Sequence, residues 1–451
     1  MVIRYLSPRI KCSNVRYTTL LLLLCSLSTM SQTGLIQSGP MLGYSEMREV
    51  LLWVQTTEPA EVQMEYWQGE TGRIRPFQTE SVRTEKASAY VAKFIADEVL
   101  PGQTYQYRVL INGKPVSFDY PLEFQTQPLW MWRTEPPAFK FALGSCTYVN
   151  EERFDRPGNS YGGEYKIFNA IYAKDPDFML WTGDNMYLRE ADWYTRTGFH
   201  HRYTHTRSLP EMQSLLARTH NYAVWDDHDF GPNDSDGTFI HKDLALETFN
   251  TFWGNPSAGN RDAAGIFTRF QWVDVEFWLL DNRYHRTPND LASDCDCTIL
   301  GEEQLDWLTK SLANSRASFK FIVLGGQVLN TAQVYETYMN LCPRERQYLL
   351  GQIELNDIEN VVFLDGDRHH SELSRYTNNR GNVVYDLTVS PTTAGAGPRE
   401  EENALRVEGT LVTQRNFGTI EVSGTRKERV AKITLFDNDG KELWTHKIKS
   451  E

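Results

Sequence analysis

The sequence predicts an α/β protein preceded by a small β-sandwich, and three observations support this prediction. From residue 139 onward, apolar strand-like runs alternate with amphipathic helical segments, a pattern that indicates an α/β core. Residues 33–128 instead contain short β-rich runs separated by turn signals, without a sustained helical period. At 451 residues, 40% hydrophobic and 12% aromatic, the chain is long and apolar enough for one large and one small domain.

The N-terminal segment 1–31 has the pattern of a secretory signal peptide. An apolar run at 20–27 precedes small polar residues and follows four cationic ones, Arg4, Arg9, Lys11 and Arg16. The run is shorter than the ~20 residues that a membrane span needs, which favours a signal peptide over a signal anchor. We therefore expect a secreted or periplasmic protein without a transmembrane span.

The small β-sandwich is expected at 33–128. Its strand-like runs are VLLWVQ, VQMEYW, AYVAKF and YQYRVLIN, and Glu-Pro, Pro-Gly and Asn-Gly turns separate them. The proline-containing segment 128–137 is the predicted linker, so the second domain is expected over 135–451.

The α/β domain is predicted from the order of its elements. Its strand-like runs are FKFALG, FMLWTG, NYAVW, FQWVDVEFWLL (two strands), FKFIVLGG and NVVFLDG. The helical segments among them are EYKIFNAIYA, EEQLDWLTKSLA and RQYLLGQIE. Beyond residue 382 strands dominate, which indicates an added antiparallel portion.

Polar clusters directly follow six of the strand runs. They lie at 144–146, 183–187, 226–229, 281–285, 325–327 and 365–370. Because ligand sites in α/β sheets lie outside the carboxyl ends of the strands, we expect these clusters to converge in space. Taken singly, each cluster has an ordinary interpretation as a turn, a surface pair or a solvated acidic loop. Their regular placement favours a functional site.

The residue types in these clusters suggest metal binding. Aspartate, histidine, cysteine and tyrosine supply oxygen, nitrogen and sulfur ligands, and the two acidic clusters are enough for two cations. Two metal ions that share a carboxylate are a standard arrangement for attack on phosphate esters. The formal net charge of −13 and the lack of basic stripes argue against nucleic-acid binding as the main role.

The sequence also contains a possible serine-hydrolase motif and a set of cysteines that can form a disulfide. Residues 158–162 fit the G-x-S-x-G motif of serine hydrolases around Ser160, but the preceding residues are charged and end in proline, so the required strand is missing. Cys295 and Cys297 are too close in sequence to pair with each other easily, and either can pair with Cys342 in an oxidising compartment. Cys146 would then remain unpaired.

The motifs GSC, GDNMY, WDDHDFGPN, LLDNRYHR and GDRHHSEL together resemble the PhoD-type alkaline phosphatases/phosphodiesterases, within the calcineurin-like metallophosphoesterase superfamily. The resemblance implies a four-layer αββα metallophosphoesterase sandwich over 135–451, preceded by an immunoglobulin-like β-sandwich over 33–128. It also implies a metal-dependent phosphate-ester hydrolase that uses Fe3+ and Ca2+, with a metal-activated water attacking phosphorus. The substrate, small or polymeric, can be a monoester, a diester, a phospholipid, a nucleotide or a wall polymer.

When the family's motifs are matched to this sequence residue by residue, the resemblance implies metal ligands at Cys146, Asp184, Tyr187, Asp227, Asp367 and His369. Asp184 would bridge the two ions, and His228 would stabilise charge or protonate the leaving group. Arg283 is a further catalytic candidate from its strand-end position alone, because a forked guanidinium can bind phosphate oxygens. The alternative is a non-catalytic, metal-binding, adhesin-like protein. The complete ligand set favours the enzyme.

Overall fold

The computed structural model describes Met1 and residues 32–69, 75–291, 297–334, 337–397 and 401–450. The predicted signal peptide, apart from Met1, and Cys295 lie outside the described residues. Within these ranges, no helix combines the length and the apolar character that crossing a membrane requires.

The strands are numbered in chain order. They are β1 Ile36–Ser45, β2 Val50–Thr56, β3 Glu61–Trp67, β4 Phe77–Gln78, β5 Val82–Arg83, β6 Val91–Ala96, β7 Thr104–Ile111, β8 Lys114–Pro115, β9 Glu123–Gln125, β10 Phe139–Gly144, β11 Phe178–Thr182, β12 His220–Val224, β13 Thr268–Trp272, β14 Val275–Leu279, β15 Lys320–Val323, β16 Val361–Asp365, β17 Glu372–Thr377, β18 Val383–Thr388, β19 Asn416–Ser423, β20 Val430–Asp437 and β21 Glu442–Lys449.

The α-helices of the described ranges all follow β10. They are α1 Ile167–Tyr172, α2 Arg196–Arg207, α3 Gln213–Arg218, α4 Asp227–Phe230, α5 Lys242–Phe252, α6 Glu302–Asn314, α7 Tyr338–Leu341 and α8 Pro343–Leu355. The three helices predicted from apolar spacing correspond to α1, α6 and α8, and the four quoted N-terminal strand runs to β2, β3, β6 and β7.

Three sheets organise these strands. The largest has the order β21-β20-β19-β10-β11-β12-β1-β2-β6, the second β13-β14-β15-β16-β18-β17, and the third β4-β3-β7-β8 with β5 on β3 and β9 on β7. Strands β10, β11 and β12 are parallel neighbours, as are β14, β15, β16 and β18. Parallel pairing brings the carboxyl ends of neighbouring strands to one edge of each sheet.

The first two sheets pack face to face with helices outside. Phe141 of β10 meets Phe277 of β14 and Phe321 of β15, with ring centroids 5.3 and 5.4 Å apart. The next residues along those strands, Trp278 and Ile322, lie on the opposite face in a core shared with α6 and α8. On the far side of the first sheet, α1 packs through Phe168 against Trp181, at 6.0 Å. This confirms the four-layer αββα arrangement.

The N-terminal β-rich unit differs from the prediction in how it joins the rest. Strand β1 was not among the predicted runs, because Gly39, Pro40 and Gly43 interrupt its apolar pattern. It pairs in parallel with β12, so that β1, β2 and β6 extend the α/β sheet. His220 reinforces this junction, with Nδ1 2.9 Å from the Gly43 carbonyl oxygen. The sandwich therefore shares one of its sheets with the following domain.

Of the two pairings that the sequence allows for Cys342, the one with Cys297 is not formed in the described residues. Cys297 and Cys342 are both free thiols in the described residues. Burial raises the pKa of Cys342 above its ordinary value, and the Cys297 thiol raises it further. Cys146 is free as well.

Strand β17 contains a buried carboxylate that should make stability depend on pH. Burial alone would raise the pKa of Glu372, but the His370 imidazole, 3.7 Å from the carboxylate, and a hydrogen bond from Arg406 outweigh it and lower the pKa from 4.5 to about 2. This stabilisation, on the order of 3 kcal/mol, is complete above pH ~5 and is lost as the pH falls toward 2. Glu372→Gln should lower the unfolding free energy at pH 7 and flatten its decline at acid pH. Urea titrations in chelator at pH 7, 5, 4 and 3 measure both effects.

The control is Glu303→Gln, an exposed carboxylate on α6. This variant should follow the wild-type curve. An unchanged acid limb in Glu372→Gln would contradict the assignment of the pH dependence to this side chain.

Candidate metal centre

The predicted clusters meet at the carboxyl ends of the parallel strands. Cys146 follows β10, Asp184 and Tyr187 follow β11, and Asp227 opens α4 directly after β12. Asp367 and His369 follow β16 on the facing sheet. The two sheets approach closely at this edge, because a Cβ at Gly325 would lie 2.4 Å from the Asp226 carboxyl carbon. Glycine is required there for the two strand ends to meet.

The potential ligand atoms form three groups, within each of which they lie no more than 4.8 Å apart. The groups are Cys146–Asp184–His369, Asp184–Asp227–His228 and Asp226–Asp227–Asp367. Asp184 belongs to the first two groups and Asp227 to the last two. A carboxylate common to two groups is the geometry that a bridging ligand needs.

The first group is rich in sulfur, nitrogen and phenol donors. The buried Cys146 Sγ lies 3.7 Å from Asp184 Oδ2 and accepts a hydrogen bond of 3.1 Å from Ser390 Oγ. Tyr187 Oη lies 3.0 Å from His369 Nε2, which adds a phenol to the group. Burial raises the pKa of Cys146 to about 12, so a cation that binds there must displace the thiol proton.

The second and third groups are dominated by carboxylates. Asp227 Oδ2 accepts a 2.6 Å hydrogen bond from the Asp234 amide, whereas its Oδ1 accepts none from the part of the chain that the structure describes. Asp226 Oδ2 is likewise buried without a hydrogen-bond donor among those residues. Burial, followed by repulsion from Asp227 and Cys146, raises the pKa of Asp184 well above its ordinary value. Crowded, buried carboxylates with unfilled oxygens fit cations.

Four of the six predicted ligands adopt left-handed backbone conformations. The φ angles are 57° at Cys146, 52° at Asp184, 65° at Asp367 and 55° at His369. Each costs roughly 1–2 kcal/mol relative to a right-handed conformation. Backbone strain of this kind concentrates at functional sites, where the surrounding structure enforces it. Its clustering on these ligands is an independent sign of function.

The two predicted catalytic residues lie in different surroundings. His228 is half-buried on α4, its amide 3.3 Å from Asp184 Oδ1 and its ring 4.1 Å from that of Tyr187. Burial lowers the pKa of His228, which favours the neutral imidazole. Arg283 is 3% exposed, and its guanidinium binds Asp226 and lies 3.9 Å from Asp227 Oδ1. Its contact with a phosphate oxygen stays a prediction.

Further residues support the ligands, and of these Ser390 lies outside the predicted clusters. Asn282 Nδ2 donates to Asp226 Oδ1 at 2.8 Å, and the Asp229 carboxylate accepts from the backbone amides of Asp226 and Asn185. Burial raises the pKa of Asp229 to about 8. Ser390, which contacts Cys146, comes two residues after β18. The strand-end rule, applied to that strand as well, finds it.

The serine-hydrolase alternative gains no support. Ser160 is exposed, and the described residues directly before it form turns and bends rather than a strand. Its neighbour Tyr161 is the residue of that motif that reaches the metal centre, with Oη 2.9 Å from His369 Nδ1.

Comparison with known proteins agrees with this architecture. Residues 141–432 match the family model described as PhoD-like phosphatase, and residues 33–129 match a domain of unknown function, DUF7800. Alkaline phosphatase D of Bacillus subtilis (strain 168) is 22% identical over 338 residues, which is 64% of this chain and 55% of that protein. The alignment therefore spans about half the length of that relative.

Two solved structures share the fold. A structure of PhoD superposes with a TM-score of 0.75 at 16% identity and covers 93% of both chains. Purple acid phosphatase PPD1 from yellow lupin (Lupinus luteus) seeds has a TM-score of 0.67 at 12% identity, covering 91% of this chain and 74% of that one. Because the PhoD-like phosphatase model matches well over half of the sequence, this chain belongs to the PhoD-like phosphatase family.

Proposed function

We propose that the protein is an exported, metal-dependent hydrolase of phosphate esters that acts as a phosphodiesterase or phosphomonoesterase. Family membership supports the class of phosphoric ester hydrolase. The observation that carries the proposal is the convergence of three ligand groups on two shared carboxylates, Asp184 and Asp227. Export rests on the signal-peptide pattern at 1–31.

The donor types support two different cations. Thiolate, phenolate and imidazole ligands around Cys146, Tyr187 and His369 suit iron, and the carboxylates Asp227 and Asp367 suit calcium. We therefore propose Fe3+ in the first group and Ca2+ beside it, with Asp184 common to both. When bound, such ions polarise a phosphoryl oxygen and make a water molecule nucleophilic at neutral pH.

The chain's own residues supply orientation and proton transfer. Asp229 fixes the start of α4 through the Asp226 and Asn185 amides, and this holds His228 beside Asp184. We propose that His228 stabilises charge on the leaving oxygen or passes a proton to it. Arg283 offsets the charge of Asp226 and Asp227. The complete donor set argues against a purely adhesive, non-catalytic protein.

Metal analysis combined with a visible spectrum tests this proposal. We expect iron and calcium in the purified protein, an absorption band in the visible from thiolate or phenolate bound to ferric iron, and hydrolysis of bis(4-nitrophenyl) phosphate or 4-nitrophenyl phosphate. Chelation should abolish both band and hydrolysis. Tyr187→Phe should weaken or shift the band. Tyr348→Phe, a change on the exposed face of α8, should leave it unchanged.

Two results would contradict the proposal. Full hydrolysis by metal-free protein would remove the metal dependence. Metal-loaded protein that hydrolyses neither ester nor any phospholipid, nucleotide or wall-polymer phosphodiester would favour the binding-protein alternative.

A further inference from the structure

An exposed aromatic ring stands beside the candidate metal centre. The Tyr161 side chain is 43% exposed, although its Oη lies 2.9 Å from Nδ1 of the predicted ligand His369. Its ring centroid is 5.9 Å from that of His369 and 6.4 Å from that of Tyr187. Tyr161 therefore presents an aromatic surface to solvent at the mouth of the site.

The position of this ring is fixed by the surrounding chain. Arg415 Nη2 donates to the Tyr161 carbonyl at 3.1 Å, and Asn150 exchanges two hydrogen bonds with the backbone of Gly162, at 2.8 and 2.9 Å. The ring packs edge-on against Tyr148, with centroids 4.9 Å apart. The contacts of the ring with Tyr148 and of the hydroxyl with His369 restrain the side chain before any ligand arrives, which lowers the entropic cost of binding.

The neighbouring backbone leaves room for the ring. A Cβ at Gly395 would lie 2.7 Å from Tyr161 Cε2, so a larger residue at 395 would displace the ring. The Gly395 carbonyl oxygen also lies 2.7 Å from His369 Nδ1, closer than the Tyr161 hydroxyl. Because Gly395 orients the imidazole, His369 keeps a hydrogen-bond partner when the Tyr161 hydroxyl is removed. The Tyr161 hydroxyl is therefore not needed to orient the His369 imidazole.

We propose that Tyr161 is a specificity-determining residue whose ring contacts the organic part of the substrate ester and favours aromatic groups such as aryl or nucleoside esters. The inference rests on the proposed function, because it places the phosphoryl group at the ligand groups next to the ring. An aromatic group attached to that phosphoryl would lie against Tyr161, and such ring pairs stabilise beyond the area they bury. A small alkyl group would gain little from the same contact.

Binding of two non-hydrolysable phosphonates tests the inference. We expect metal-loaded wild-type protein to bind phenylphosphonate more tightly than methylphosphonate in calorimetry. Tyr161→Ala should weaken phenylphosphonate binding roughly threefold to tenfold and leave methylphosphonate unchanged. Tyr161→Phe should retain the preference, because it keeps the ring. Tyr348→Ala, which removes an exposed tyrosine from α8, is the matched control. Iron and calcium content and the thermal unfolding midpoint are measured for each variant.

Each result that would contradict the inference has its own interpretation. A preference for phenylphosphonate that persists in Tyr161→Ala overturns the inference. Equal weakening of both ligands, or loss of metal, in this variant also overturns it. Either of these two results would make Tyr161 a positioning residue for His369. Loss of the preference in Tyr161→Phe overturns it too, because the hydroxyl would then be the determinant. A metal-loaded wild type without hydrolytic activity on any ester overturns the proposed function and this inference together. Full activity without aromatic preference overturns only the role of Tyr161.

Discussion

Asp184→Asn should reduce kcat/KM for phosphate-ester hydrolysis by on the order of 10³-fold or more. The Asp184 side chain is shared by two of the ligand groups, so its loss removes a donor from both proposed cation positions. Asparagine is the appropriate replacement because it tolerates the left-handed conformation that Asp184 adopts, with φ 52°. The variant should therefore fold. Hydrolysis is measured together with iron and calcium content.

Stability in chelator separates this role from general damage. Without metal, burial and the nearby Asp227 disfavour the ionised form of Asp184, so a neutral amide should raise the urea midpoint at pH 8. The control is Asp175→Asn, a residue with the same φ of 52° but an exposed side chain on the surface. It should leave hydrolysis and metal content unchanged. An Asp184→Asn variant with near wild-type hydrolysis would contradict the bridging role.

The position of the candidate site could be predicted because it depends on the order of apolar and polar residues along the chain. Apolar strand runs and the polar residues that follow them are visible in the sequence, and parallel pairing forces Cys146, Asp184 and Asp227 to one edge. The same pattern predicts the cluster at 365–370, which contains Asp367 and His369 and follows a strand of the facing sheet. Pattern and topology explain why these clusters meet, whereas the choice of these five residues as metal ligands came from the family resemblance.

Features that depend on distant contacts were not predictable. Strand β1 carries Gly39, Pro40 and Gly43, and it is a strand only because β2 and β12 pair with it on either side. Tyr161 was considered only as a neighbour of Ser160, because nothing in its flanking residues indicates contact with His369, 208 positions away. Tertiary context overrode local signals in both cases.

Arg283 illustrates the same limit for a predicted residue. Its strand-end position predicts a phosphate contact, and the structure places its guanidinium on Asp226 and Ser235, 3.2 Å from the Ser235 carbonyl oxygen. Burial would lower the pKa of Arg283, but Asp226 and Asp227 raise it above its ordinary value. The arginine is thus the positive member of a buried ion cluster, whatever else it contacts when substrate is bound.

Arg283→Met should destabilise the metal-free protein by about 3–5 kcal/mol, because it leaves the buried Asp226 carboxylate without its cation. The double variant Arg283→Met/Asp226→Asn removes both charges and should recover most of that loss. Urea unfolding in chelator measures the stability of both variants, and Arg83→Met, in an exposed ion pair, serves as the control.

Kinetics of the same double variant decides between the two roles of Arg283. If the arginine acts only through Asp226 and Asp227, metal content and KM of the double variant should match those of Asp226→Asn alone, which shows what loss of this member of the third ligand group costs. If the Arg283 guanidinium binds a phosphate oxygen, the stability of the double variant should return while its KM stays raised above that of Asp226→Asn. Arg283→Lys should then show the same raised KM, because an ammonium group cannot replace the bidentate contact. Removing one partner of a buried ion pair costs more stability than removing both partners. A KM that stays raised after stability has returned therefore cannot be caused by destabilisation.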